Sequence, residues 1–273
     1  MQRVSVPANK SSSTFNVAFL TKHQKGDIIQ PVLQTIGLKI IETSAFDTDT
    51  LGTFSGDVER TLSPKDAALY KAKKAVELTG SVWGLGSEGS FGGGPYPGVM
   101  NWNEEILCLY NSHNGNALFA SASGPSLVEK ASINSQSALA ALTKKFPNQL
   151  WMLEEQGEII KGLDYQAITQ RLAQQDTLLL KPDLRAMHCP HRQEMLANAA
   201  YDLVKRWQAR CPHCDASNFV IKKIQQGLPC RTCTFATERV KSRTKICDEC
   251  GFTEQENSTP AFADPMYCPI CNP

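Results

Sequence analysis

The chain has 273 residues, with 28 Lys and Arg against 27 Asp and Glu and a hydrophobic fraction of 41%. That near-neutral balance excludes a molecule whose whole surface grips nucleic acid by charge, and the hydrophobic content is ordinary for a globular protein. No apolar run approaches the roughly 18 residues of a membrane-spanning helix, so no membrane association is expected.

A flexible lead-in is expected over residues 1–14, which are polar and lack the apolar core of a signal segment. Asn16–Thr21 then reads as a short strand, and apolar residues at Ile28, Ile29, Val32, Leu33 and Ile36 have helical spacing. A second strand follows at Leu38–Glu42. This opening is the start of a mostly parallel sheet. The loop between first strand and helix is where such folds bind anions, and Thr21, Lys22, His23 and Lys25 offer a hydroxyl, two ammonium groups and an imidazole to phosphate. The same residues also suit a solvated basic turn.

Asp47 and Asp49, two apart among hydroxyls and glycines, can hold Mg²⁺ through hard oxygens or merely cap a turn. Arg60 lies just beyond. Ser63-Pro64 opens a helix that Gly80 stops, and Lys71, Lys73 and Lys74 read as its solvated face. Ser81–Gly86 reads as a strand delivering Glu88 into a glycine-rich loop, Ser87 to Gly98, whose amides can approach a ligand closely. Gly89 and Ser90 belong to that loop. Two further strands flank a turn at Asn114-Gly115, with Cys108 in the core and Glu105 available to join Glu88 around a cation. Helices at 134–145 and 165–175 and strands at 149–153 and 177–180 continue the alternation. Arg185 and Arg192 then precede or begin a long helix, where they can hold phosphate or form structural ion pairs.

Four Cys-x-x-Cys knuckles close the sequence: Cys211/Cys214, Cys230/Cys233, Cys247/Cys250 and Cys268/Cys271. Zinc takes four thiolates in a tetrahedron and one knuckle supplies two, so four knuckles imply two structural zinc sites. Sequential pairing, first with second and third with fourth, is the expectation; crossed or nested pairing is the alternative. Thiols in this arrangement without a signal segment point to a reducing cytoplasm. Lys222, Lys223, Arg239, Lys241, Arg243 and Lys245 suggest a basic face on these ribbons.

The stretches TKHQKGDIIQPVL, FDTDTLGTFSGDVER, SEGSFGG, DLRAM, CPHC, GLPCRTC and DPMYCPICNP together resemble a bacterial family described as domain of unknown function number 6671. Tyr96 stands where that pattern has histidine, and Cys189-Pro190-His191-Arg192 where it has Asn-Pro-Thr-Arg. More loosely, Thr21-Lys22-His23, Ala68-Leu69-Tyr70-Lys71-Ala72 and Glu88-Gly89 are similar in order to inosine-triphosphatase-type nucleoside triphosphate pyrophosphatases. That resemblance implies a Mg²⁺-dependent hydrolase. In it Glu88, with Asp47, Asp49 or Glu105, would hold the metal, and Thr21, Lys22, His23, Lys25, Arg60, Gly89 and Ser90 would hold phosphate.

The expected architecture is an α/β domain over residues 15–180, with a mixed, mostly parallel sheet flanked by helices. A connecting segment and helix cover 181–210, and tandem zinc ribbons cover 211–273. The expected function is hydrolysis or binding of a nucleotide or other phosphorylated small molecule. The alternative is a non-enzymatic adaptor whose ribbons bind nucleic acid or protein.

Overall fold

Val17, Ala18, Phe19 and Leu20 are each no more than 1% exposed, so both faces of the first strand, β1 (Phe15–Leu20), are covered. A strand buried on both faces sits inside a sheet flanked by helices. In the computed structural model the described residues are 14–22, 24–51, 60–92, 94–95 and 100–273, without the side chains of Asp49 and Leu51. Two units are formed, Met1–Val204 and Lys205–Pro273.

After β1 come α1 (Gly26–Leu33), β2 (Leu38–Thr43), α2 (Pro64–Thr79), β3 (Trp83–Phe91), β4 (Asn101–Asn111) and β5 (Ala117–Ser126). The sheet order is β2-β1-β3-β4-β5. The ladders among β2, β1 and β3 are parallel, and those from β3 to β5 are antiparallel. The chain leaves β1 on one side for β2 and returns past it to β3. That reversal makes the gap between β1 and β3 the switch point, where open α/β sheets bind ligands beyond the carboxyl ends of their strands.

Helix α2 has the capping read from the sequence: the Ser63 side chain accepts from the Asp66 amide, and Gly80 ends the helix at φ 70°. It packs Ala75 on Ala18 and Leu20. Gly84 and Gly86 face it, and a Cβ on either would stand 2.0 Å from the Ala72 carbonyl oxygen or 1.9 Å from that of Ala68. Paired glycines and alanines thus bring α2 onto the sheet at backbone distance. Strand β3 also runs further than its glycines suggest. Pairing with β4 continues through Glu88↔Ile106, Gly89↔Glu105 and Ser90↔Glu104, so these residues lie in the sheet and not in the loop expected. Cross-strand pairing outweighs the weak strand preference of glycine.

The rest of the first unit is a second sheet. It comprises β6 (Ala131–Ile133), β7 (Trp151–Glu155), β8 (Glu158–Leu163) and β9 (Leu178–Pro182), ordered β6-β9-β7-β8 and antiparallel throughout. Helices α3 (Gln136–Lys145) and α4 (Tyr165–Leu172) contribute Leu139 and Ile168 to its core with Trp151, Leu163 and Leu180. The hairpin β7-β8 turns at Gln156-Gly157, both with positive φ, and is absent from the sequence reading. Helix α5 (Pro190–Gln208) follows. The second unit holds β10 (Val220–Gln226), β11 (Val240–Ile246) and β12 (Thr253–Asn257) as an antiparallel meander. Among the described residues no helix is long and apolar enough to cross a membrane.

Gly86→Ala should destabilise the protein by about 1–3 kcal/mol, the usual range for overpacking, as read from the urea unfolding midpoint. Gly115→Ala, with nothing within 4 Å of the added methyl, should cost only the strain of its left-handed backbone.

Candidate functional site

Beyond the carboxyl ends of β1 and β3, cations and carboxylates collect on both faces of the sheet. On the α2 face, Lys71 Nζ lies 2.5 Å from Glu88 Oε2, and Arg60 reaches Glu88 Oε1 at 3.3 Å while donating to the Gly89 carbonyl at 2.8 Å. Burial raises the Glu88 pKa, but Lys71, Lys25 and Arg60 outweigh it and hold the carboxyl below its usual range. On the other face, Arg192 clasps Glu105 through Nε at 2.5 Å and Nη2 at 3.0 Å and donates to the Leu184 carbonyl at 2.5 Å. Both partners are at most 1% exposed. Gly89 is glycine because this pair lies over it: a Cβ there would stand 2.2 Å from Arg192 Nη2.

Lys25 stands at the N-cap of α1, only 6% exposed, and donates to Ser87 Oγ at 2.9 Å. Among the described residues no carboxylate pairs with it. Burial first, then the positive charge of Arg192, lowers its pKa from 10.5 to about 8; Lys71 adds to this, and Glu105 and Glu88 oppose it.

Several expected site residues are therefore together: Lys25, Arg60, Glu88, Gly89, Glu105 and Arg192. Their roles differ from the sequence reading in one respect. Glu88 and Glu105 do not share a cation, because the register Gly89↔Glu105 sends their side chains to opposite faces of the sheet. Each carboxylate faces a cation of the protein instead, so this donor set does not fit Mg²⁺, which needs oxygens converging on one point. The Gly89 and Ser90 backbones lie in the β3-β4 ladder. Lys22 pairs with Asp47 at 2.5 Å, and Thr21 is buried with its amide on Thr43. Arg185 belongs to a separate cluster, its Nη2 2.6 Å from the fully buried Asp183, with His188 Nδ1 at 2.8 Å from the same carboxylate. His23 and the Asp49 carboxylate lie outside the described residues.

Three residues of the crevice were missed in the sequence. Lys71 was grouped with the solvated Lys73 and Lys74, but Gly84 and Gly86 draw its turn of α2 against the sheet. Ser87 and Asn103 carry no motif. Asn103 is fully buried and donates to the Ser90 carbonyl and to Glu105 Oε1. The visible signal was the Ala68/Ala72 spacing matched to Gly84/Gly86.

The cysteines form two quartets, Cys211/Cys214/Cys247/Cys250 and Cys230/Cys233/Cys268/Cys271. Sulfur separations across the knuckles are 3.7, 3.5, 3.9 and 3.5 Å. A tetrahedral ion with metal–sulfur bonds of about 2.3 Å sets that spacing at about 3.8 Å. Each quartet can therefore hold a metal ion. The pairing is interleaved and not sequential, and the meander is the reason. Val220 at the start of β10 pairs with Ile246 at the end of β11, so the first and third knuckles meet at one end of the sheet. The second knuckle follows the far end of β10, to which β12 returns the chain through Ser242↔Asn257, and Cys230 bridges Ala263 there. The basic face expected on this unit is partly cancelled, since Lys245 pairs with Glu254 and Glu256, and Lys222 with Asp248.

A family model, Domain of unknown function (DUF6671), matches residues 71–273. The chain belongs to that family. The matched region begins at Lys71 and holds Glu88, Glu105, Arg192 and both quartets, whereas Lys25 and Arg60 precede it. No curated protein and no solved structure matches.

Cys214→Ser combined with Cys247→Ser should leave one bound metal ion per chain by elemental analysis, because both changes strike one quartet. Cys214→Ser with Cys230→Ser should disrupt both sites. Lys25→Met should stabilise the protein by about 2–3 kcal/mol below pH 8 by removing a buried charge with which no carboxylate pairs among the described residues. Since Lys25 has a folded pKa below its unfolded one, its penalty is full below about pH 8. It fades as pH rises toward 10.5, so the variant's advantage in unfolding free energy should vanish over that interval.

Proposed function

We propose that the first unit binds a phosphorylated small molecule in the crevice between the ends of β1 and β3, and that the two cysteine quartets hold structural zinc. The observation that carries the first reading is Lys25. Among the described residues this buried ammonium has a hydroxyl partner and no carboxylate, which is costly, and an anionic ligand would offset that cost. Lys71, Arg60 and Arg192 leave the crevice with four cations against the two carboxylates Glu88 and Glu105. Arg60, the most exposed of these four, is suited to meet phosphate oxygens directly. Four thiolates leave no open coordination position, so zinc there would serve folding and not catalysis.

The test is a thermal-shift screen of the metal-loaded protein against inorganic phosphate, pyrophosphate and nucleotides, with and without Mg²⁺, while phosphate release is monitored. Stabilisation by these anions, weakened about tenfold in affinity in Arg60→Met, is the expected result; a factor of ten corresponds to about 1.4 kcal/mol. Mg²⁺-dependent release that is lost in Glu88→Gln would make the protein a hydrolase. No stabilisation by any of these anions would sink the binding reading.

A second reading, docking of a partner protein through the second unit, is favoured by Phe235, Phe262, Met266, Tyr267 and Ile270. These are 45–61% exposed and lie on the segments around the second quartet. With the basic ladder of β11 opposed by Glu254 and Glu256, a protein fits better than nucleic acid. Salt-sensitive binding of labelled oligouridine, measured by fluorescence anisotropy, would reverse that preference.

A further inference from the structure

Lys22, Arg60, Lys71, Arg185 and Arg192 each have a carboxylate of the protein within ion-pair distance. Lys25 has none among the described residues, although it is the most buried of the lysines at this sheet end. Glu88 and Glu105 are near enough to act on it electrostatically, yet both are committed to other cations. Resting on the phosphate-binding reading above, we propose that Lys25 is a nucleophile whose amine condenses with the carbonyl carbon of a phosphorylated aldehyde or ketone held in the crevice.

Three features support a neutral amine at Nζ. Burial disfavours the charged form, and the like charges of Arg192 and Lys71 add to that effect. The N-terminus of α1, where Lys25 stands, is the positive end of the helix dipole. Among the described residues its side-chain hydrogen-bond partner is a hydroxyl at 2.9 Å. Ser87 Oγ can accept from an ammonium or donate to an amine lone pair, so it satisfies Lys25 in both states, which a carboxylate could not do. A pKa of about 8 leaves a useful fraction of free amine near neutrality, and lysines desolvated beside other cations are the ones that form imines.

The step is a condensation without redox change. The Nζ lone pair adds to the carbonyl carbon, and the carbonyl oxygen takes a proton to give a carbinolamine. That oxygen then leaves as water, carrying away in total the two protons of the amine, and a carbon–nitrogen double bond remains. The cations gathered beyond the ends of β1 and β3 would draw the phosphate, so the amine selects a carbonyl compound and the surrounding positive charge selects its phosphorylated form.

The probe is glycolaldehyde phosphate, compared with unphosphorylated glycolaldehyde, on the full metal-loaded chain in the presence of cyanoborohydride. Adducts are located by peptide mass mapping. The expected result is one adduct per chain, on the peptide carrying Lys25, formed at least tenfold faster with the phosphorylated aldehyde. Its rate should rise with pH and level off above about pH 8, whereas surface lysines continue to gain reactivity toward 10.5. Lys25→Arg, which keeps a cation in place, should lose that adduct while remaining folded. Labelling spread over surface lysines, equal for the two aldehydes, overturns the proposal. If Lys25 is unlabelled while inorganic phosphate still raises the melting temperature, the imine falls and the phosphate site stands. If phosphate neither stabilises the protein nor slows labelling, both fall.

Discussion

The bidentate contact between Arg192 and Glu105 is the constraint around which the crevice is arranged. A guanidinium and a carboxylate, both at most 1% exposed, are tolerable in an interior only when each satisfies the other. Their planar fit fastens the first turn of α5 to β4, and the third contact, to the Leu184 carbonyl, pulls the segment after β9 onto the same place. It also removes Glu105 as a counter-ion for Lys25. Burial of the lysine, and then the neighbouring Arg192 guanidinium, disfavour its charged form, and the glycine at 89 is fixed by the room that the Arg192–Glu105 pair needs.

The same site depends on how closely α2 approaches the sheet. Without side chains at Gly84 and Gly86 the backbones of Ala68 and Ala72 come within contact of β3, and Lys71, on the same turns, is carried down to Glu88. Small residues make room for the ion pairs on both faces of β3, Gly84 and Gly86 for the helix that carries Lys71 and Gly89 for the Arg192–Glu105 pair. The arrangement concentrates positive charge where the strand order reverses, and an open α/β sheet offers its crevice there.

In the second unit, topology and metal geometry support each other. An antiparallel meander of three strands between four knuckles must place alternate knuckles at the same end. The quartets then clamp the two ends of a sheet whose outer strands are almost wholly exposed and offer little burial of their own. A sheet this small gains little from hydrophobic burial, which is where structural metal contributes folding energy.

Much was legible in the chain itself. Knuckle spacing marked the eight thiols that gather into two quartets able to hold a metal ion, Ser63-Pro64 and Gly80 bounded α2, and an Asn-Gly turn marked the β4-β5 hairpin, because spacing and turn chemistry are local properties. The cation-bearing loop after β1 was visible for the same reason. Which knuckles pair, which of three neighbouring lysines is buried, and that Glu88 and Glu105 face apart were not visible. Each depends on strand register, strand direction or helix packing, and these are set by residues far apart in the chain. The sequence by itself determined the chemistry available: thiolates for metal, and cations and two carboxylates for an anionic site. Only the tertiary structure decided which charges neutralise each other and which one, Lys25, is buried on a hydroxyl with no carboxylate paired to it among the described residues. Burial and pairing are properties of neighbours in space, and the strand ladders and helix packing choose those neighbours.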